Sequence, residues 1–527
     1  MSVHKYLIGI GGSGAKAVEA FLHLKAAGYG NPGNPTHLAV IDPDGSNWNL
    51  QTMYQTLLKY RDVQKILQID NNSKDESFPL FGTRFEIQEK RSGSSDDIGS
   101  MVWSPVEHED ASLNLIFAQD RITDIEGQLF KTLYTEEEMT EKLKYGFKGH
   151  PGIGSLLISK EFRPELDPED IDRIPERDRD RVSYWSRLLG KQSRINNIIA
   201  DGSDEVRIMI VGSIFGGTGA AGVPTIVKKI HNLYSEAIQD GRIKLGLILL
   251  LPYFKFIRSS SGMQDGQLYA EADDFILNSR YALRYYKEAG LTDYVNSIYV
   301  LGDNHYEDMD FAVGGSEQKN KALIAETLAA VAVDHFYNAG IENNKNLFYA
   351  NRGGTVDMDE TGQKVDIKEI PYGDELRKAM LDMVRFGIVY NKFSALMKEI
   401  TANFKLRQQH PWSTGYFREL KSNWRHKASD ADRNRVRDEM AVIESYLDRY
   451  LDWTDDITDR LNILNRTKMR DMRQTTAEFN LGDLVGDDSE KLTWRDIQMK
   501  VRDTGGKGRE KGINQLCKAI YDIVRLS

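Results

Sequence analysis

With one cysteine, Cys517, in 527 residues, the chain can form no intrachain disulfide and no cysteine-based zinc cluster, which fits a reducing compartment. Histidine is scarce as well: none of the ten falls in an HxxxH or HExxH pair, so no metal site is implied by spacing. His4, His37 and His335 are therefore expected at the core's edge or on the surface. Long apolar runs are missing, and the longest, LGLILLLPYF from Leu245 to Phe254, falls far below the ~20 residues that cross a bilayer. No charged-then-apolar leader opens MSVHKYLIGIGG, so a soluble cytoplasmic protein without a transmembrane segment is expected. Positive charge is not in excess. The 69 Lys+Arg against 79 Asp+Glu leave a net charge of -10, which argues against nucleic acid as the main partner.

The hydrophobic and charged fractions, 40% and 28%, are those of a globular protein with two or three cores. The short runs YLIGI, THLAVID, VRIMIVGS, KLGLILLLP and NSIYVLGD alternate with longer amphipathic segments, the pattern of a parallel sheet covered by helices on both faces. Helices are expected from Gly14 to Ala27, Val182 to Ala200, Ala221 to Asp240, Gln267 to Ala289 and Glu317 to Asn338. Between about 48 and 180 the pattern breaks into a polar stretch that includes RSGSSDDIGS and RPELDPEDIDRIPERDRD, read as an insertion on the sheet's edge. Beyond Gly373 strand signals fade, while Met440, Ile443, Leu447, Tyr450 and Ile457 keep helical spacing. The expected division is a three-layer α/β domain over 1–390 and a mainly helical domain over 391–527.

Two glycine-rich turns stand out, IGIGGSGAKAVEAF from Ile8 and VGSIFGGTGAAGVPTIVKKI from Val211. Each follows a strand pattern and opens a helix pattern. Glycine there lets a ligand approach the backbone, and the N–H groups of the helix's first turn, with its dipole, favour phosphate. The candidates are Gly11, Gly12, Ser13 and Gly14 in the first turn and Gly216, Gly217, Thr218, Gly219 and Ala220 in the second. No lysine follows either set in the GxxxxGK[ST] arrangement, so neither is a P-loop. The first turn also fits the dinucleotide fingerprint GxGxxG, with Asp42 where a ribose-binding acid would stand.

GGTGAAG resembles the signature turn of the tubulin/FtsZ superfamily, and IGIGGSGAKAVEAF resembles the first phosphate turn of its FtsZ branch. The resemblance, over about 1–390, implies a divergent bacterial tubulin-like protein that binds GTP or GDP, with Mg2+ held through the phosphates. It further implies self-association, into filaments in the family, and work beside a protein partner encoded in the same operon. Guanine-binding asparagines in that family match Asn304, after NSIYVLGD, and Asn320, in the first turn of the expected helix. The sugar-binding loop matches LLPYFKFIRSSSGMQDG, where Ile257 stands in place of the family's glutamate and Arg258 or Asp265 is the candidate substitute. GHPGIGS, from Gly149, is the candidate for the loop facing the terminal phosphate. In the family, a subunit donates an asparagine and an acidic residue to its neighbour's nucleotide through a GxxNxDxxD string that is absent here. YGDELRKAMLDMVRF supplies Asp374 and Glu375 instead, and helix capping explains that acidic pair equally well.

Two alternatives stay open: an NAD(P)-dependent oxidoreductase built on the first turn alone, and a nucleotide-binding scaffold that does not hydrolyse. The aromatics of HPWSTGYF are expected to pack, and the basic residues of DTGGKGREKG to sit in a solvated loop.

Overall fold

A computed structural model of the chain describes residues 2–69, 77–88, 98–106, 110–117, 125–147, 150–202, 204–257, 275–303, 306–310, 315–317, 319–340, 346–350, 365–366, 372–421, 429–475, 478–504 and 512–526. Its centre is one parallel sheet. The apolar runs become β1 (Val3–Ile10), β2 (Thr36–Ile41), β5 (Glu205–Ser213), β6 (Ile243–Leu250) and β8 (Ser297–Leu301). Short strands β3 (Phe85–Ile87), β4 (Val102–Trp103) and β10 (Asn346–Ala350) complete it. The order is β10-β8-β6-β5-β1-β2-β3, and β4 continues the β3 edge along β2. Two further parallel pairs lie apart from it, β7 (Phe254–Ile257) with β9 (Glu307–Asp310) and β11 (Val365–Asp366) with β12 (Leu461–Asn462).

Parallel strands need crossovers, and these cover both faces with helix. On one face lie α1 (Gly11–Ala26), α2 (Trp48–Leu67) and α6 (Ile324–Asn338); on the other lie α3 (Pro151–Glu161), α4 (Gly217–Gln239) and α5 (Phe275–Glu288). Alternate side chains of β1 feed the two cores, with Leu7 in the first and Tyr6, Ile8 and Ile10 in the second. Burial on both faces explains why these strands read as continuous apolar runs.

The C-terminal region is helical: α7 (Gly373–Ala402), α8 (Asp430–Thr458), α9 (Trp494–Thr504) and α10 (Ile513–Val524) are its longest pieces. Its apolar stripe, including Met440, Ile443, Leu447 and Tyr450, joins the same core as α1, α2 and α6. Trp412 and Phe417 of the HPWSTGYF stretch are buried in that core too.

Several boundaries differ from expectation. The polar stretch read as starting at 48 opens with α2, whose Leu50, Met53, Leu57, Tyr60 and Val63 are fully buried, so the interruption starts after Leu67. Helix α7 runs unbroken through residue 390. Residues 182–200 form short pieces rather than one helix. Close packing at Gly190, where a Cβ would run into the carbonyl of Pro164, fixes a turn there. Helix α6 starts at Ile324, seven residues later than expected, because the Glu326 carboxylate turns back to accept the Leu323 N–H at 2.9 Å.

Candidate functional site

β1 and β5 are neighbours at the middle of the sheet, and strand order reverses between them. At such a switch point the adjacent crossovers depart in opposite directions and leave a crevice beyond the strands' carboxyl ends. Both glycine turns open there, since α1 starts directly after β1 and α4 soon after β5.

Contacts between the turns are close. A Cβ on Gly14 would lie 2.9 Å from the Val211 carbonyl oxygen of β5 and the same distance from Gly9. One on Gly219 would collide with the backbone of Ser213. Those glycines let each helix start press onto the sheet. Gly11 takes a φ of +75°, which other residues resist, and a Cβ there would touch Thr218 Cβ at 3.4 Å. Thus residues about 200 apart in sequence form one surface.

Both helices open without a side-chain cap. The residue before α1 is Ile10 (φ -121°, ψ 119°) and the residue before α4 is Gly216 (φ -95°, ψ 163°), and no acid occupies either first turn. By contrast, Asn47 caps α2 and Ser429 with Asp432 caps α8. The uncapped N–H groups and the positive ends of two dipoles therefore converge on one place, suited to an anion.

The rim is acidic and polar. Asp42, at the end of β2, is 5% exposed, and burial pushes its carboxyl up to about 8 while the Asp44 N–H donates to it at 2.8 Å. Asp44 accepts the Ser46 hydroxyl at 2.6 Å and the Gly315 N–H at 2.7 Å, tying the segment before α6 to this rim. Behind the first turn, the Tyr253 hydroxyl donates to Glu326 at 3.3 Å. Burial raises Glu326 to about 7, opposed by the charge of Lys16, which pairs with Glu19 at 3.1 Å.

The structure thus brings together Gly11, Gly12, Ser13, Gly14, Gly216, Gly217, Thr218, Gly219 and Ala220, with Asp42 at the end of the neighbouring strand. Asn320 is not on a helix. It is half-buried ahead of α6 and lines, with Lys16, Trp48, Thr52 and Arg449, a cavity of about 600 Å³ between α1, α2 and α8. Arg258, Asp265 and Asn304 lie outside the described residues. The GHPGIGS stretch enters α3 at Pro151 and packs on the flank of α4, where the Ser155 hydroxyl donates to the Ala221 carbonyl at 3.3 Å.

Asp374 and Glu375 are exposed in the first turn of α7, at the opposite end of the sheet. The Glu375 charge acts on the phenol of Tyr29, which follows α1, and Tyr372 lies 5.7 Å from the His335 ring near the end of α6. The 16 residues of α1 separate that end from the glycine turns by about 24 Å at 1.5 Å per residue. No single copy can bring the acids to its own turns.

The sequence does not single out Asp44 or Tyr253: the first repeats the acid of IDPD two positions on, whereas the second carries no local signal. Among the described residues no helix is long and apolar enough to cross a membrane. No protein-family model matches the chain, and no curated protein matches it. What can be stated of its kind is architectural: a parallel α/β sheet, compatible with a Rossmann-like nucleotide-binding fold, joined to a helical C-terminal region.

Proposed function

We propose that this chain binds a guanine nucleotide, GTP or GDP, in the manner of the tubulin/FtsZ proteins that its glycine turns resemble. One observation carries the reading: two uncapped, glycine-opened helix starts abut at the central switch point of a parallel sheet, with Gly11 against Thr218. A dinucleotide enzyme of the GxGxxG kind needs only the first of them. The guanine preference itself rests on the resemblance.

Magnesium would be held through the phosphate oxygens, as the resemblance implies. Copies of the chain would associate head to tail, so that Asp374 and Glu375 of one copy meet the nucleotide of the next and hydrolysis is completed at the interface. Their position, about one helix length from the turns, supports that arrangement over action within one copy.

A thermal-shift panel of GTP, GDP, ATP, NADH and NADPH tests the ligand class. Stabilisation by GTP and GDP above ATP is the expected result. A shift by NADH or NADPH alone would replace this reading with the oxidoreductase, and GTP binding without turnover would leave a nucleotide-held scaffold.

A further inference from the structure

Asn49 is the second residue of α2, and its backbone N–H is already satisfied by the Asn47 side chain at 2.9 Å. Its own side chain is not satisfied. It is 1% exposed, yet neither its amide nitrogen nor its amide oxygen has a hydrogen-bond partner among the described residues. Burying an unpaired carboxamide is costly, and most buried polar side chains in native proteins have a partner.

The direction of the amide is informative. The closest atom that a Cβ on Gly12 would meet is Asn49 Nδ2, at 3.8 Å. Gly9, Gly14 and Gly219 are glycines because the protein's own atoms crowd them. Gly12 is different: it is half-exposed, its φ lies outside the left-handed region, and an alanine would make only ordinary contact. The fold does not demand glycine there. An unpaired amide thus lies against the first glycine turn, beside the position that a side chain on Gly12 would take.

We propose that Asn49 is a ligand-positioning residue, donating its Nδ2 hydrogen to an oxygen of a phosphoryl group seated on the Gly11–Gly14 turn. This rests on the phosphate-binding reading above and adds to it a third element, α2, beyond the two glycine-opened helices. The amide oxygen would accept from water or a hydrated cation accompanying that phosphate, which satisfies both halves of the carboxamide.

The test uses the full chain, inorganic pyrophosphate as a base-free probe, and GTP, each titrated by calorimetry against wild type, Asn49→Ala, Asn49→Asp and Gly12→Ala. Asn49→Ala should weaken pyrophosphate about ten- to a hundredfold, the range for a hydrogen bond to a charged group. Asn49→Asp keeps the shape but sets an anion against an anion, so it should bind more weakly than the alanine variant. Gly12→Ala should stay folded, shown by an unchanged far-ultraviolet spectrum, and lose about tenfold or more because its methyl fills the same space. A merely structural asparagine would give the opposite order, with Asp close to wild type. Pyrophosphate affinities within twofold of wild type for all three variants, while wild type binds, would overturn the role of Asn49 and leave the glycine turns standing. Failure of wild type to bind either pyrophosphate or GTP at millimolar concentration would overturn both readings together.

Discussion

If the acids of α7 act on a neighbour's nucleotide, two inactive variants should restore each other when mixed. The first, Gly217→Val, puts a branched side chain into the second glycine turn and blocks ligand approach, but it keeps Asp374 and Glu375. The second, Asp374→Asn with Glu375→Gln, keeps the turns and side-chain size while removing both charges. Each alone should lose most turnover: the first for want of nucleotide, the second by roughly 10²–10⁴-fold, the usual worth of an acid–base group. Geometry sets the size of the rescue. Because α1 spans 16 residues, the acids and the turns of one copy stand about 24 Å apart, so only contacts between copies count. In a head-to-tail assembly mixed at random in equal amounts, about one interface in four pairs intact turns with intact acids, so about a quarter of wild-type hydrolysis should return. Phosphate release is the assay, run at fixed total protein with mixing ratio varied, and the optimum should fall at equal amounts. A mixture that gives only the sum of its two separate activities would refute the shared site. So would a double variant that hydrolyses at the wild-type rate.

Three further outcomes follow from named contacts. Thr218→Ala removes a side chain beside Gly11, and calorimetry should show nucleotide affinity falling by more than about 2 kcal/mol with the fold intact; unchanged affinity would remove that threonine from the site. Asp42→Asn tests the buried carboxyl: with a folded value near 8 against 3.8 for the ordinary group, the native state holds a proton that the unfolded chain has released. Wild type therefore loses stability as pH rises from about 4 to 8, by at most about 6 kcal/mol at 1.36 per unit, whereas the asparagine variant does not. Ligand-free melts should show the variant's advantage growing across that window and levelling above it, and a pH-independent difference would contradict the burial argument. Gly14→Ala should destabilise the whole α/β region by about 1–3 kcal/mol, because its Cβ would sit 2.9 Å from the Val211 carbonyl; a melting temperature equal to wild type would show that α1 can shift away from the sheet.

Elements whose cause is local can be read from the chain. YLIGI, THLAVID, VRIMIVGS, KLGLILLLP and NSIYVLGD are strands because short apolar runs suit a parallel sheet that buries both faces. The two helices opened by glycine turns are legible because glycine and an apolar period lie within one short window, but they start inside the glycines, at Gly11 and Gly217, rather than at Gly14 and Ala221, because a Cβ-free backbone lets the first turn form against the sheet. The helical C-terminal region was legible from the spacing of Met440, Ile443, Leu447 and Tyr450. Tertiary structure decided everything that depends on neighbours distant in the chain. Only the pairing of β1 with β5 sets Gly11 against Thr218, and nothing near either residue encodes that contact. Asn320 falls ahead of the helix rather than in its first turn, because the apolar period does not reveal that Glu326 closes the start at Leu323. Residues from Trp48 were read as an insertion because α2 has a polar average, although packing against α1 and α8 buries its other face. The separation of Asp374 and Glu375 from the turns follows from the length and direction of α1. Asn49 escaped the sequence reading for the same reason: an unpaired side chain is defined by what surrounds it, and its surroundings come from α1 and α2 folding together.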